Sequence, residues 1–446
     1  MHRIISLFFL TFFLGVQAQT ITSNTLSYYG IGERSIGNHS IYDALGTNNI
    51  NLLDSAQLNF YNPASYSLMS SGNTLFSIGI YGRLSKYTNN DLEEFRFSSM
   101  ADHFALGFKM RKRMGLSFGL KPFSSRGYSF TQKQFTGTDS IKYIYSGNGG
   151  IQDLYLGYSF AFIQKKQTKL SIGANASFLF GSIANERQSI LIDANTSSGG
   201  VGRNTMELKA FHYEFGSFFR QVIGKKHEVT LSAVIAPDQN LNARATEELY
   251  AAANINTLST YDTLDYISST GKIQLGLESK YGLAYQMSLP DWKRKTRSLH
   301  PLLTFLVSYN STISGSHDFE NLKPWPSINS SKLALGLQFT PEAKLYENIS
   351  TLKALEKVTY RIGAYSALLP YVSANGNQYT EQALTVGFGM PILAQQGLSS
   401  LNFSMSAGKR GVNEPLSTSE EFLTFNFGLV ISPSSFDRWF RKRKLD

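Results

Sequence analysis

From Glu421 to Ile431 the chain alternates without interruption, with Leu423, Phe425, Phe427, Leu429 and Ile431 on one face and Thr424, Asn426, Gly428 and Val430 on the other. A period of two, with large apolar groups on one side and small or polar groups on the other, predicts a strand in a sheet whose faces meet different surroundings. The pattern recurs in Leu154, Leu156, Tyr158, Phe160 and Phe162 set against Asp153, Tyr155, Gly157, Ser159 and Ala161. It recurs again in Leu333, Leu335, Leu337 and Phe339 against Lys332, Ala334, Gly336 and Gln338. Most periodic segments repeat at two, so the chain predicts an all-β fold.

A soluble β-sandwich or propeller alternates in the same way, and the N-terminus separates the readings. Arg3 supplies a positive start, Ile4 to Val16 an apolar stretch and Val16-Gln17-Ala18 a small-residue cleavage site, so residues 1–18 predict a signal peptide and an exported protein. Beyond it no run of 18 apolar residues occurs, and a mean hydropathy of −0.17 is too low for a bundle of membrane helices. The 37 Gly, 24 Tyr and 32 Phe suit a large antiparallel barrel, with small residues inward and aromatics toward lipid and its interfaces. The absence of cysteine removes disulfides, thiol chemistry and cysteine metal sites.

Topology follows from the connections. Short ones fall at Arg111–Arg113, Gln164–Thr168, Gly224–Lys226 and Leu289–Ser298; long polar ones at Ser124–Gly150, Ile183–Asn204, Pro237–Ser269 and Ser314–Ser330. Outer-membrane barrels pair short periplasmic turns with long outer loops, so residues 73–432 predict a transmembrane antiparallel β-barrel of about 14 strands. Each strand is expected to run roughly 9 to 13 residues, the last one descending and leaving the C-terminus periplasmic.

The net charge of +10 then changes meaning. The basic clusters Lys109–Arg113, Lys165–Lys169, Lys225–Lys226, Lys293–Arg297 and Arg438–Lys444 all fall at one end of this barrel. There they either meet phospholipid head groups, with Trp292 and Trp439 as interfacial anchors, or serve as solvated turn residues that keep the hairpins soluble, and the exported location argues against a nucleic-acid partner. Residues 433–446 form a basic periplasmic tail.

Residues 19–72 do not read as barrel. They are polar but carry Tyr28, Tyr29, Ile41, Leu45, Leu58 and Phe60, too much apolar material for a solvated leader, which predicts a plug in the lumen. Gly30 and Gly32, Asp54-Ser55-Ala56 and Asn62-Pro63-Ala64, followed by a membrane strand, resemble the N-terminal hatch of the FadL family of long-chain fatty-acid and hydrophobic-compound transporters. Arg361-Ile362-Gly363-Ala364-Tyr365, Gly387-Phe388-Gly389-Met390-Pro391 and Gly408-Lys409-Arg410-Gly411 are similar to a divergent Bacteroidota branch of that family. The resemblance implies a passive outer-membrane channel for hydrophobic small molecules, gated by the hatch, with a sideways opening at a kinked strand that the residues alone do not place. Its other implication is a structural or accessory barrel bound to a protein partner, as in type IX secretion.

Alternation turns Asp153, Glu278, Lys332 and Arg361 inward, and Arg361 is the candidate for holding a ligand carboxylate bidentately; an ion-pair network bracing the wall is the competing role. Ala243 to Ile255 predict a short amphipathic helix whose Leu249 and Tyr250 would capture an apolar ligand at the outer mouth. No cofactor or metal is implied: His212 and Glu214 are only two ligands, and His103, His227 and His300 are placed near strand ends without partners. No Gly-x-Ser-x-Gly or phosphate loop occurs, so the chain reads as a non-enzyme.

Overall fold

The computed structural model describes residues 24–34, 39–70, 74–89, 92–135, 137, 140–192, 198–252, 261–293, 298–319, 328–343, 352–373, 375–392, 399–414 and 417–432. The signal segment, the basic tail and Trp439 lie outside them. The N-terminal part holds strand β1 (Glu33–Arg34), helix α1 (Ser40–Asp43) and a 3-10 turn at Pro63–Leu68. The wall begins with β2 (Thr74–Asn89), β3 (Leu92–Arg111), β4 (Met114–Ser125), β5 (Tyr128–Phe135), β6 (Ser140–Gln164), β7 (Thr168–Ile192) and β8 (Gly199–Ile223). It continues through β9 (His227–Ala236), β10 (Gln239–Ala252), β11 (Tyr261–Leu275) and β12 (Glu278–Ser288) to a small hairpin, β13 (Trp292–Lys293) with β14 (Ser298–Leu299). Then come β15 (Leu302–Thr312), β16 (Ser316–His317), β17 (Ser330–Thr340), β18 (Thr359–Val372), β19 (Gln378–Pro391), β20 (Ser400–Gly411) and β21 (Ser419–Ile431).

All wall pairings are antiparallel. β21 closes on β2, with Phe76 opposite Ile431 and Thr88 opposite Ser419. β4 with β5, β9 with β10 and β11 with β12 each fill one wall position, giving a 14-strand closed barrel. Closure removes the sheet edges that lipid could not satisfy. Large side chains point outward, as at Leu156 (57% exposed), Phe162 (51%) and Phe427 (51%), while Ser77, Ser159, Ser404 and Gly-rich positions turn inward. At about 25 cal/mol per Å², such a belt is costly in water and is stabilising in hydrocarbon.

Three expectations fail. β6, β7 and β8 each run 25 residues, well beyond the length needed to cross the membrane. The stretches read as long polar loops at Ser124–Gly150, Ile183–Asn204 and Pro237–Ser269 are largely these strands, with β5, β10 and β11, continuing past the bilayer as one sheet. Its inner face still buries Ile151, Ile183, Met206, Leu208, Leu241, Ala245 and Ile273, so alternation persists outside the membrane. The predicted helix over Ala243 to Ile255 is instead strand as far as Ala252, paired with β8 on one side and β11 on the other. Two rows of ladder bonds override the helix preference of its Ala and Glu residues. His103 stands well inside β3 rather than near its end, and it has partners.

Residues 24–34 and 39–69 pack on the inner face of the wall. Glycines make room for them: a Cβ on Gly363 would fall 2.2 Å from the Gly46 nitrogen, one on Gly115 2.0 Å from the Tyr66 carbonyl oxygen, and one on Gly173 2.5 Å from the Pro63 carbonyl. The segment enters beside β4 and β5 at the end from which the long strands β6, β7 and β8 project, named the outer end for that projection, and reaches the other end at Met69, just before β2.

Candidate functional site

The features that resembled a hatch fix the turns of this segment. Gly30 (φ 60°) and Gly32 (φ 89°) adopt left-handed backbone, and a Cβ on Gly32 would stand 2.5 Å from the Ser125 carbonyl oxygen. Asp54 accepts from the Ala56 N–H at 3.1 Å. Asn62 caps the turn that Pro63 opens, accepting from the Ala64 N–H at 3.1 Å while its Nδ2 donates to the Ile50 carbonyl at 3.0 Å. The turn then sinks against β7 and β8, where Tyr66 donates to Asn175 at 2.9 Å and Ser67 to Ser171 at 2.9 Å.

Midway along the lumen α1 is held by the late strands. Ser404 and Ser406 donate to Asp43 Oδ2 at 2.8 and 2.7 Å, and the Gly46 N–H donates to Thr385 at 2.9 Å. Burial raises the Asp43 carboxyl above its usual range despite those hydroxyls. Beside it the ring of His39 stacks on that of His103, centroids 4.8 Å apart. Burial, then His103 and Arg361, hold the His39 imidazole well below its usual range, so it is neutral.

His103 belongs to a chain of hydrogen bonds that sequence spacing did not reveal. Its Nδ1 lies 2.6 Å from Asp102 and its Nε2 2.8 Å from Ser77 Oγ. Neighbours in a strand face opposite ways, but a register shift between Gly79 and Ile80 of β2 lets Asp102 and His103 both bury. The spacing is that of an acid, base and nucleophile, yet Ser77 is 0% exposed and Phe60 and His39 cover the imidazole. The chain braces β2 against β3 and presents the His103 ring to His39 and Phe60 of the segment, with no room at the serine for a reacting carbonyl.

Toward the outer end the contacts become ionic. Arg410 reaches Glu381 at 2.5 Å, Glu33 at 2.6 Å and Glu420 at 3.5 Å, and Glu420 is also held by Arg83 at 2.8 Å. Burial pushes the Glu33 carboxyl up, but Arg410 and Arg83 outweigh it and hold it below its usual range. Arg34 pairs with Glu278 at 2.8 Å, as does Lys280.

Of the residues expected to face inward, Asp153, Glu278, Lys332 and Arg361 all do, but they do not converge on one point. Glu278 is neutralised by Arg34 and Lys280, and Asp153 lies 3.5 Å from Lys121. Lys332 rests over the Tyr365 ring at 3.9 Å. Arg361 donates to Gln338 of the adjacent β17 at 2.9 Å and to Asn402 of β20, two strands away, at 3.1 Å, both neutral amides. Asp153, Glu278 and Lys332 border a cavity of about 370 Å³ that Glu33, Glu381, Lys121 and Arg410 also line. Trp292 is exposed on β13, its ring 5.8 Å from that of Phe339. Leu249 is 43% exposed on β10, and Tyr250 is on the same strand, away from these cavities.

The wall is not uniform. β3 pairs with β4 only from Phe104 opposite Leu120 downward, and above that level neither β4 nor β5 is paired to β3 among the described residues. In the outer half the edge of β4 is instead met by β1, with Glu33 opposite Ser125 and Arg34 opposite Ser124, and Asn24 bridges to Gly127. Arg126 secures the same stretch, donating to the carbonyls of Ser27 at 2.9 Å and Gly30 at 2.6 Å. Arg96 of β3 donates to the Ser129 carbonyl of β5 across the break. Beside it a second cavity, about 430 Å³, is walled by Tyr28, Tyr29, Tyr87, Tyr128, Phe130 and Tyr145. Tyr29 and Arg410 border both cavities, so the ionic cluster stands between the aromatic vestibule and the charged lumen.

This fold is shared with outer-membrane channels of known structure. The backbone is similar to a Pseudomonas aeruginosa FadL homologue, with a TM-score of 0.56 at 11% identity, covering 90% of this chain and 99% of that one. It is similar to the Ralstonia pickettii toluene transporter TbuX, at 0.54 and 12% over 89% and 98%, and to the Pseudomonas putida toluene transporter TodX, at 0.52 and 13% over 90% and 98%. No curated protein sequence matches the chain. Its fold is the closed antiparallel β-barrel of these FadL-like channels. The BamG family model matches residues 1–446, and the chain belongs to the BamG family.

Proposed function

We propose that the protein is a passive outer-membrane channel for apolar small molecules, with the segment Asn24–Met69 as its hatch and Asn24–Arg34 as the bolt of a lateral gate. The observation that carries this is the break between β3 and β4–β5, filled from inside by the hatch and adjoining an aromatic vestibule. An apolar molecule captured among the tyrosines would meet a charged lumen below, where desolvating Arg410, Glu33 and Glu381 is costly. The sideways route to hydrocarbon avoids that cost. Withdrawal of β1 from β4 opens it. The channel therefore passes cargo into the bilayer rather than down the barrel axis, with the C-terminus periplasmic and the basic turns on the inner leaflet.

The test is uptake of labelled toluene and oleate into vesicles bearing the purified protein, compared with protein in which cysteines at positions 96 and 129 are joined by a short bismaleimide. Uptake abolished by the link supports the lateral gate. Equal uptake by linked and unlinked protein refutes it.

A second reading is supported by the lumen itself. Its hatch is bonded to wall strands from β4 to β20 and its cavity is lined by ion pairs, as suits an accessory barrel that stays shut and serves a protein partner. Absence of uptake for every apolar probe by well-folded protein favours that reading.

A further inference from the structure

At the end of the barrel where Met69 lies, three short turns build a basic rim across six neighbouring strands. Arg111, Lys112 and Arg113 join β3 to β4, Lys165 and Lys166 lie between β6 and β7, and Lys225 and Lys226 between β8 and β9. Backbone bonds lock each turn to a neighbouring strand: the Ala161 N–H donates to the Arg113 carbonyl at 2.8 Å, Val222 to Gln167 at 2.7 Å and Ser288 to Lys226 at 2.8 Å. Each turn is two strands from the next, so the three span about 20 Å. These cations are all exposed, and none forms an ion pair among the described residues. The segments of this end outside the described residues, 294–297, 344–351 and 433–446, carry three, one and five Lys or Arg against none, one and two Asp or Glu, so they add to the charge and do not neutralise it.

The basic surface also continues inward over the rim. Lys109 and Lys169 are each two residues beyond a wall position that touches the hatch, so both point into the mouth. Those positions are Gly107, beside Leu58 and Met69, and Ser171, which donates to the Ala64 carbonyl at 3.0 Å. Lys169 stands directly opposite Arg220 in the ladder, a like-charge pairing that destabilises a sheet unless an anion answers it. Arg220 is paired with Glu228 at 3.2 Å, but Lys109 and Lys169 form no ion pair among the described residues.

We propose that this rim is the docking surface for an acidic, soluble protein of the periplasm, whose carboxylates engage the three turns and the two inward lysines together. It goes beyond transport but rests on the orientation given above, which puts these turns on the periplasmic side. Phospholipid head groups are the other anions at this level, and they lie outside the wall, where only the turns are within their reach. Lys109 and Lys169 are on the opposite face of the wall. A partner that approaches along the barrel axis meets both sets of cations at once.

The full chain in nanodiscs of phosphatidylcholine is titrated with a fluorescent peptide of alternating glutamate and serine, long enough to span the three turns, and binding is followed by anisotropy. Both faces of a disc are open, so binding is read whichever way the barrel inserts and whether or not it transports anything. Expected are saturable binding that weakens as salt rises, a loss of about tenfold or more in Lys166→Glu/Lys225→Glu/Lys226→Glu, and of about threefold or more in Lys109→Gln/Lys169→Gln. Heat-modifiable migration on a gel verifies each barrel. The proposal is overturned by no binding to the unaltered protein or by equal binding of the turn variant, which means adsorption elsewhere. It is also overturned by binding that Lys109→Gln/Lys169→Gln leaves intact and phosphatidylglycerol in the disc abolishes, which assigns the rim to head groups. Labelling of Lys226→Cys by an impermeant maleimide on intact cells tests the orientation separately: rapid labelling puts the rim on the cell surface and rules out a periplasmic partner.

Discussion

Glu33→Gln tests the bolt most directly, because it removes one charge from the hatch while leaving the wall its own pairs. Arg410 keeps Glu381 at 2.5 Å and Glu420 at 3.5 Å, so the barrel does not acquire an unpaired buried cation. What is lost is the charge-assisted bond at 2.6 Å between side chains only 15% and 7% exposed, where water screens little. Bonds of this kind contribute about 1.5–3 kcal/mol, and glutamine retains a neutral one of about 1 kcal/mol, leaving a loss of about 1.4 kcal/mol. That shifts the balance between docked and withdrawn bolt by about tenfold. The chain has no cysteine, so Ser27→Cys is a unique reporter at a position that is 0% exposed when docked. In that background Glu33→Gln should raise the maleimide labelling rate about tenfold when docking is in rapid equilibrium, with toluene uptake rising in the same direction. Unchanged labelling with the barrel folded means that Arg34, Arg126 and the β1 pairing hold the bolt without Glu33, and the latch assignment fails.

Arg361→Ala should lower the temperature at which folded barrel is lost on a gel, by an amount matching about 1–3 kcal/mol for two bonds to neutral amides, with oleate affinity unchanged; a selective loss of affinity would restore a ligand role. Gly363→Val should drive α1 from its seat, because a Cβ there meets the Gly46 nitrogen at 2.2 Å, giving folded barrel with a hatch cut readily by protease; resistant hatch refutes the seating. Hatch docking should weaken as pH falls below about 6.5, since released His39 takes a proton that docked His39, held well below that value, refuses. Labelling at Ser27→Cys, divided by the rate of a free thiol at the same pH to remove the loss of thiolate, should therefore rise between pH 7.5 and pH 5 and lose that rise in His39→Gln, whereas the Glu33 contribution disappears only below pH 4.5.

Alternation made the barrel legible, because lipid and lumen impose opposite demands on successive side chains from Phe76 to Ile431. The same rule misled at the outer end. β6 to β8 continue in period two, but their partly covered outer residues are polar enough to read as loop. Ala243 to Ala251 read as helix because local preference is visible in a sequence and the ladder partners in β8 and β11 are not. The inward orientation of Arg361 and Lys332 followed from parity alone; their actual partners, Asn402 and Tyr365, come from strands whose register no single sequence gives. The break beside β3 is likewise a property of pairing. Only Gly32 hinted at it, as a left-handed residue pressed on Ser125.

The reach of the hatch sets an order of assembly. Its bonds from Gly46 to Thr385, from Asp43 to Ser404 and Ser406 and from Glu33 to Arg410 span sequence separations of 339 to 377 residues. None of them has a partner until β19 and β20 are in place, so the stretch of mature chain made first is the last to acquire its seat. Until then its apolar residues, among them Ile41, Leu45 and Phe60, lack the wall that buries them, and the segment depends on being shielded until the last strands of the barrel are in place.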